Sequence, residues 1–231
     1  MRLLPLHACC MIIVAKGDGS MEAISGRARA VAAVIALVAW AGLAIQFSAT
    51  FNANDAIAET LWILLRYFTV WTNVLVAIVL TGAAFGIAPF GSPRMLGFIT
   101  LSILLVGIVY VLLLRGLLEL SGGAMLADII LHQIVPVLVP LFWLFLAPKG
   151  GLGKWDPWLW LIFPLVYLAY ALARGAAEGR YAYPFMDAAK LGWSQTATNC
   201  LAIGVGFLLA GYAFIWLDRQ LARSVRAGLL P

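Results

Sequence analysis

The sequence predicts an all-α fold: a polytopic membrane protein built as a six-helix transmembrane bundle, with both termini on the cytoplasmic side. Three observations predict it: the composition, six long apolar runs, and the placement of the basic residues. Of the 231 residues, 64% are hydrophobic and 11% are charged, and the mean hydropathy is +1.01. Soluble domains carry about 25% charged residues, and a soluble surface this apolar would aggregate. The solvent is therefore lipid. The runs lack the ten-residue alternation of a barrel, so they read as helices.

Residues 1–26 stand apart from the rest. The apolar stretch Met11–Ala15 is too short to span and is broken by Lys16-Gly-Asp-Gly. It offers neither the core nor the cleavage site of a signal peptide. Leu6-His-Ala-Cys9 lacks the hydrophobic region of a lipoprotein cleavage box. The segment reads as a disordered extension, with Met21 an alternative start. A span needs about 20 mostly apolar residues, and six segments qualify within the domain 27–218. They are Ala28–Phe47, Trp62–Ala84, Leu96–Leu114, Met125–Leu146, Trp158–Ala173 and Thr196–Leu217, followed by a basic tail, 219–231. Pro89-Phe-Gly-Ser-Pro93, Ser121-Gly-Gly123 and Pro148-Lys-Gly-Gly-Leu-Gly153 mark connections. No internal repeat appears, which weighs against an inverted-repeat transporter.

Lysine and arginine set the orientation. One side holds Arg27, Arg29, Arg94, Lys149, Lys154, Arg219, Arg223 and Arg226; the other holds Arg66, Arg115, Arg174, Arg180 and Lys190. The positive-inside rule places the first group, and both termini, in the cytoplasm. Tryptophans at 62, 143, 155, 158, 160, 193 and 216 lie near the span ends, as interfacial aromatics do. The net charge of +5 is accounted for by orientation and lipid headgroups, so no nucleic-acid partner is expected. Cys9, Cys10 and Cys200 form no disulfide or zinc framework, and Cys200 reads as a buried thiol.

In so apolar a chain the informative residues are the polar ones at membrane depth, each costly unless paired or wet. In the second span, Trp62, Arg66, Thr69 and Asn73 fall within about 60° on one helical face, with Thr72 at its edge. The plain structural alternative is that the threonines bond back to carbonyls one turn earlier. In the fourth span, Asp128 precedes His132 by one turn, so its carboxylate can fix the imidazole tautomer. Pro136 has no amide proton for the His132 carbonyl, leaving that oxygen for water or substrate. Here the alternative is a hydrogen bond gluing two helices. A third group comprises Arg174, Glu178, Arg180, Tyr181, Tyr183 and Pro184 in the last outer loop, then Thr196 and Asn199. Loop charges are commonly just solvated. Thr69 and His132 each lie about seven residues, or about 10 Å, below the outer interface, so they can face each other if their helices pack together.

A hydroxyl beside a histidine is the minimal kit for nucleophilic acyl transfer. The histidine takes the proton, and Asn73 or Arg66 could stabilise the oxyanion. One imidazole and one carboxylate are too few ligands for a metal site, and no phosphate-binding glycine motif occurs. No cofactor is expected. The competing reading is a non-enzyme: a small transporter, or an interaction or receptor protein with a polar outer-leaflet cavity, in which Arg66, Asp128 and His132 relay protons. A transporter needs polar residues through both leaflets, whereas Val74–Leu80 and Val137–Phe145 are almost wholly apolar.

Arg66-Tyr-Phe-Thr69, His132 followed by Pro136, and Tyr181-Ala-Tyr-Pro-Phe185 stand in order within this frame. Over residues 28–217 the chain resembles the androgen-induced gene and androgen-dependent TFPI-regulating membrane proteins and their bacterial relatives. Animal members are membrane threonine hydrolases of fatty acid esters of hydroxy fatty acids, using a threonine in the second span and a histidine in the fourth. The resemblance implies Thr69 as nucleophile, with Thr72 as alternate, and His132 as base, supported by Asp128, Asn73 and Arg66. It also implies a lipid or fatty-acyl ester substrate held by Arg174, Arg180, Tyr181, Tyr183 and Asn199, and a multi-pass location in the bacterial inner (plasma) membrane. The lipid, the oligomeric state and the physiological role stay open.

Overall fold

The computed structural model describes residues 24–117 and 119–227, and these contain helices and no strand. The predicted N-terminal extension, apart from residues 24–26, lies outside them, as do residues 228–231 of the tail. In chain order the helices are α1 (Gly26–Asn54), α2 (Ile57–Leu64), α3 (Phe68–Ala84), α4 (Pro93–Val109), α5 (Gly122–Ile129), α6 (Val135–Leu146), α7 (Asp156–Glu178) and α8 (Ala188–Arg226), the last kinked at Gly192, whose backbone is not helical (φ 76°, ψ 157°). A π-helical turn, Tyr110–Leu114, extends α4, and another, Ile130–Ile134, joins α5 to α6. Five of the resulting helices are long and apolar enough to cross a membrane. The pair α2–α3 makes a sixth if it counts as one span. Large apolar side chains such as Leu37, Phe145, Leu201 and Leu209 face outward, as they do when lipid is the solvent.

The second span departs from expectation. Trp62–Ala84 is not one straight helix; α2 and α3 meet at an angle of 97°. The break falls at Leu65–Tyr67, where the amides keep backbone acceptors but two carbonyls are taken by side chains. Trp71 Nε1 donates to the Leu65 carbonyl at 2.8 Å, and the Tyr167 hydroxyl donates to the Arg66 carbonyl at 2.6 Å. The predicted stripe Trp62–Arg66–Thr69–Asn73 therefore does not lie on one helix. Thr69 is instead in the first turn of α3.

The other spans form where expected and run longer. Ser25 caps α1 through the Ala28 amide, and Ser92, followed by Pro93 in the first turn, caps α4. Helix α1 continues past Phe47 to Asn54, and within it Ser48 and Thr50 satisfy their hydroxyls on the carbonyls of Ala44 and Gln46. Small residues Ala28, Ala32, Ala36, Ala39 and Gly42 bury one face of α1 against α3 and the α5–α6 unit. A methyl group on Gly42 would stand 2.6 Å from Ile130 Cγ2, and one on Gly107 of α4 would stand 2.8 Å from Pro136 Cβ. These glycines let α1 and α4 close on the π turn that carries His132. The sequence supplies a cause for that turn: proline lacks an N–H and crowds the carbonyl four residues back, and a wider turn relieves the crowding.

At the end of the bundle away from Thr69, fully buried Asp218 accepts the amides of Gly150 (3.0 Å) and Leu152 (3.3 Å), pinning the α6–α7 connection to α8. Trp143 and Trp160, expected at the interface, are buried in the core. Trp143 packs on Phe214 with Lys149 over its ring, and its apolar bulk fills space between helices rather than reaching headgroups.

Candidate functional site

Helix α3 and the π turn before α6 bring Thr69 and His132 together, with Oγ1 3.0 Å from Nε2. Asp128, one turn before the histidine, places Oδ1 2.9 Å from its Nδ1, near enough to hold the ring's charge although off the line of a straight hydrogen bond. A carboxylate there favours the proton on Nδ1 and leaves the Nε2 lone pair facing the threonine. Tyr110 completes the group, and sequence reasoning missed it. Its hydroxyl donates to Asp128 Oδ2 at 2.6 Å, and its ring stacks on the imidazole with centroids 4.5 Å apart. Tyr110 stands inside the apolar run Ile103–Leu114, with nothing in its own segment to pair its hydroxyl.

Thr69 differs from the other membrane threonines here. Thr81 and Thr100 each donate back to a carbonyl one turn earlier at 2.6 Å, whereas Thr69 directs its hydroxyl to the histidine. Thr72 is fully buried, has no hydrogen-bond partner among the described residues, and faces the core away from either cavity described below. The first-turn amides of a helix lack intrahelical acceptors. One of them, the Phe68 amide, donates to the Tyr183 hydroxyl at 2.9 Å. That hydroxyl keeps its own proton to donate onward. Burial pushes the Tyr183 hydroxyl above its ordinary range, so it stays protonated near neutral pH.

Several expected site residues take other roles. Asn73 spends its amide on the carbonyls of Thr69 (2.9 Å) and Leu131 (3.2 Å), so it braces α3 against the π turn and has no donor left for an oxyanion. The Leu131 carbonyl, rather than that of His132, is the one found with a side-chain donor beside Pro136. Arg66 is buried in the helix break, donating to Glu178 Oε2 (2.5 Å) and to the Arg180 carbonyl (2.6 Å). Arg174 is buried as well, bonded to Glu178 Oε1 and the Tyr170 hydroxyl and lying 3.9 Å over the Trp62 ring. Arg66 thus ties the end of α7 and the loop after it to the α2–α3 break, while Arg174 packs α7 on α2 and shares Glu178 with Arg66; one carboxylate between two cations offsets the cost of burying them. Asn199 donates to the Phe185 carbonyl at 2.8 Å and holds the same loop from α8.

Two cavities meet at Thr69 and Tyr183, which line both. The larger, about 640 Å³, has His132, Asp128, Tyr110, Arg180 and Tyr181 on its wall, with Gln46 and Thr50 of α1 opposite. Arg180 is exposed there with no carboxylate partner among the described residues. Gln46 and Thr50 are a hydrogen-bonded pair at one-turn spacing, a sequence signal that a search for polar stripes in the first span would find. The smaller, about 90 Å³, has an almost wholly apolar lining from α4, α7 and α8. Among the described residues no group of three or more histidine, cysteine, aspartate or glutamate side chains could hold a metal ion. Compared with protein-family models, curated proteins and solved structures, the chain matches none of them.

Proposed function

We propose that this chain is an intramembrane hydrolase of lipid carboxylic esters, with Thr69 as nucleophile and His132 as general base. The observation that carries the reading is the 3.0 Å Thr69–His132 pair on the wall of a wet cavity, backed by Asp128 and Tyr110. Thr69 Oγ1 adds to the ester carbonyl carbon while Nε2 takes its proton. The Tyr183 hydroxyl and the Thr69 amide, the one first-turn amide of α3 without a backbone or side-chain acceptor among the described residues, are the donors beside the oxyanion, and the helix dipole favours negative charge there. Collapse breaks the carbon–oxygen bond to the alcohol, which leaves with the proton from His132. Water, deprotonated by the same nitrogen, then cleaves the acyl-threonine and releases the acid.

The resemblance to hydrolases of fatty acid esters of hydroxy fatty acids fits this assignment, and Arg180 is the wall residue suited to a substrate carboxylate. The basic residues favour both termini in the cytoplasm and the site toward the outer leaflet of a plasma membrane. The bundle beyond the site favours an enzyme over a transporter: Val76, Ala77, Leu80, Val135 and Val139 are packed to zero exposure and leave no polar path.

The test is fluorophosphonate labelling and hydrolysis of long-chain acyl esters by the purified protein. Thr69→Ala and His132→Ala should each lower turnover by about a thousandfold or more, while Thr72→Val keeps it. Equal labelling and turnover in wild type and Thr69→Ala would refute the assignment and return the receptor and transporter readings.

A further inference from the structure

Thr69, with Leu114 and Tyr183, lines two cavities, one almost wholly apolar and one with several polar groups, and only the second contains its base. His132 and Asp128 line the wet cavity and are absent from the apolar one. An ester has two arms, and the chemistry proposed above decides which goes where. When the tetrahedral adduct collapses, the proton on His132 must reach the alcohol oxygen, so the alcohol arm lies on the histidine side. Its departure clears the space from which water, activated by the same imidazole, attacks the acyl-threonine. The acyl arm is left the other direction.

We infer that the apolar groove between α4, α7 and α8 holds the acyl chain of the ester and measures its length, while the wet cavity takes the alcohol arm. This rests on the hydrolase reading of Thr69 and His132. The groove suits an alkyl chain: Val109, Pro164, Leu168, Cys200, Gly204 and Phe207 line it. On α8 it runs from Cys200 to Phe207, seven residues or about 10 Å, the reach of an extended chain of roughly eight carbons. A chain entering from Thr69 runs along α8 toward the middle of the bundle, the direction in which lipid tails already point. Gly204 stands on the wall one turn beyond Cys200, and a Cβ added to it would meet no atom within 4 Å. The first carbon of a side chain there meets open space, so a large substituent is expected to occupy the groove.

The experiment compares wild type with Gly204→Phe on two substrate series. In one the acyl chain grows from acetyl to palmitoyl on a fixed alcohol; in the other the acyl group is butyryl and the alcohol grows. The expected result is a loss of at least tenfold in kcat/KM for acyl chains longer than about six carbons, with acetyl and butyryl esters and the whole alcohol series unchanged. Equal loss across both series, or loss confined to the alcohol series, overturns the assignment. A second measurement does not depend on turnover. Thr69→Ala protein is loaded with an ester carrying a photoactivatable diazirine at mid-acyl chain, and the cross-linked peptides are mapped. Adducts on 200–207 or 161–168 support the groove, whereas adducts on α1 or α5 overturn it even where ester hydrolysis itself is upheld. Absence of hydrolysis in wild type would instead remove the parent reading.

Discussion

Gly42 offers a sharp test of how the bundle positions its base. A methyl group at this position would lie 2.6 Å from Ile130 Cγ2 and 2.8 Å from Leu131 Cδ2. The Leu131 tip can swing, but Ile130 Cγ2 sits on the first side-chain carbon, itself 3.3 Å away, and moves only with its backbone. Ordinary carbon contacts are about 3.5–4.0 Å, so Gly42→Ala must push Ile130 away by about 1 Å. Ile130 begins the π turn that presents His132. A misplacement of about 1 Å costs roughly a hundredfold in rate, while overpacking costs about 1–3 kcal/mol of stability, which a bundle this size survives. Gly42→Ala should therefore assemble normally and hydrolyse esters about a hundredfold more slowly, with kcat rather than KM carrying the loss. Ile130→Ala removes the obstructing methyl, so the double variant should regain most of the activity. Full activity in Gly42→Ala, or no recovery in the double variant, would refute the claim that α1 sets the position of the histidine.

Two further outcomes follow from the site and the opposite end. Tyr183→Phe removes the hydroxyl proposed to face the oxyanion and should lower kcat by about a hundredfold, with a lower detergent melting temperature because the Phe68 amide loses its acceptor; wild-type kcat would remove Tyr183 from that role. Lys149, in the connection between α6 and α7, has its ammonium pulled down to about 8 by burial, against the opposing pull of Asp218. The unfolded chain then holds that proton to higher pH than the folded protein, so stability from this group rises between about 8 and the ordinary lysine value of about 10.4. The Lys149→Met variant should lack that rise in a pH series of thermal melts, and identical slopes in the two proteins would count against it.

The helical character and the position of most spans are legible in the sequence because they depend on composition over windows of twenty residues, where single contacts average out. The pairing of Asp128 with His132 is legible for a similar reason, being one helical turn within one segment. Tyr110 is not, since it joins the pair from another helix and its only local signature is a tyrosine near a span end. The roles of Arg66 and Arg174 are also hidden. Each is a basic residue near an interface, and only the Glu178 carboxylate, 112 positions beyond Arg66, pairs with both and turns them into structural residues. Counting them as free outer charges overstates the positive side of that face.

The break between α2 and α3 is the least legible feature and bears most directly on the chemistry. Leu61–Val70 contains neither proline nor glycine, so hydropathy runs straight through it. The turn is made by Trp71, Tyr167 and Tyr183, the last two more than a hundred positions away, each taking a backbone group from the helical ladder. Its consequence falls on Thr69. A threonine inside a continuous helix can donate to the carbonyl four residues back, as Thr81 and Thr100 do, although Thr72 does not. For Thr69 that carbonyl belongs to Leu65, which lies across the break and already accepts Trp71 Nε1. The hydroxyl has no free carbonyl behind it and turns to His132, and the same break leaves the Thr69 amide without a backbone acceptor. A straight second span would supply the same residues in the same order and still lose both the free hydroxyl and the open amide.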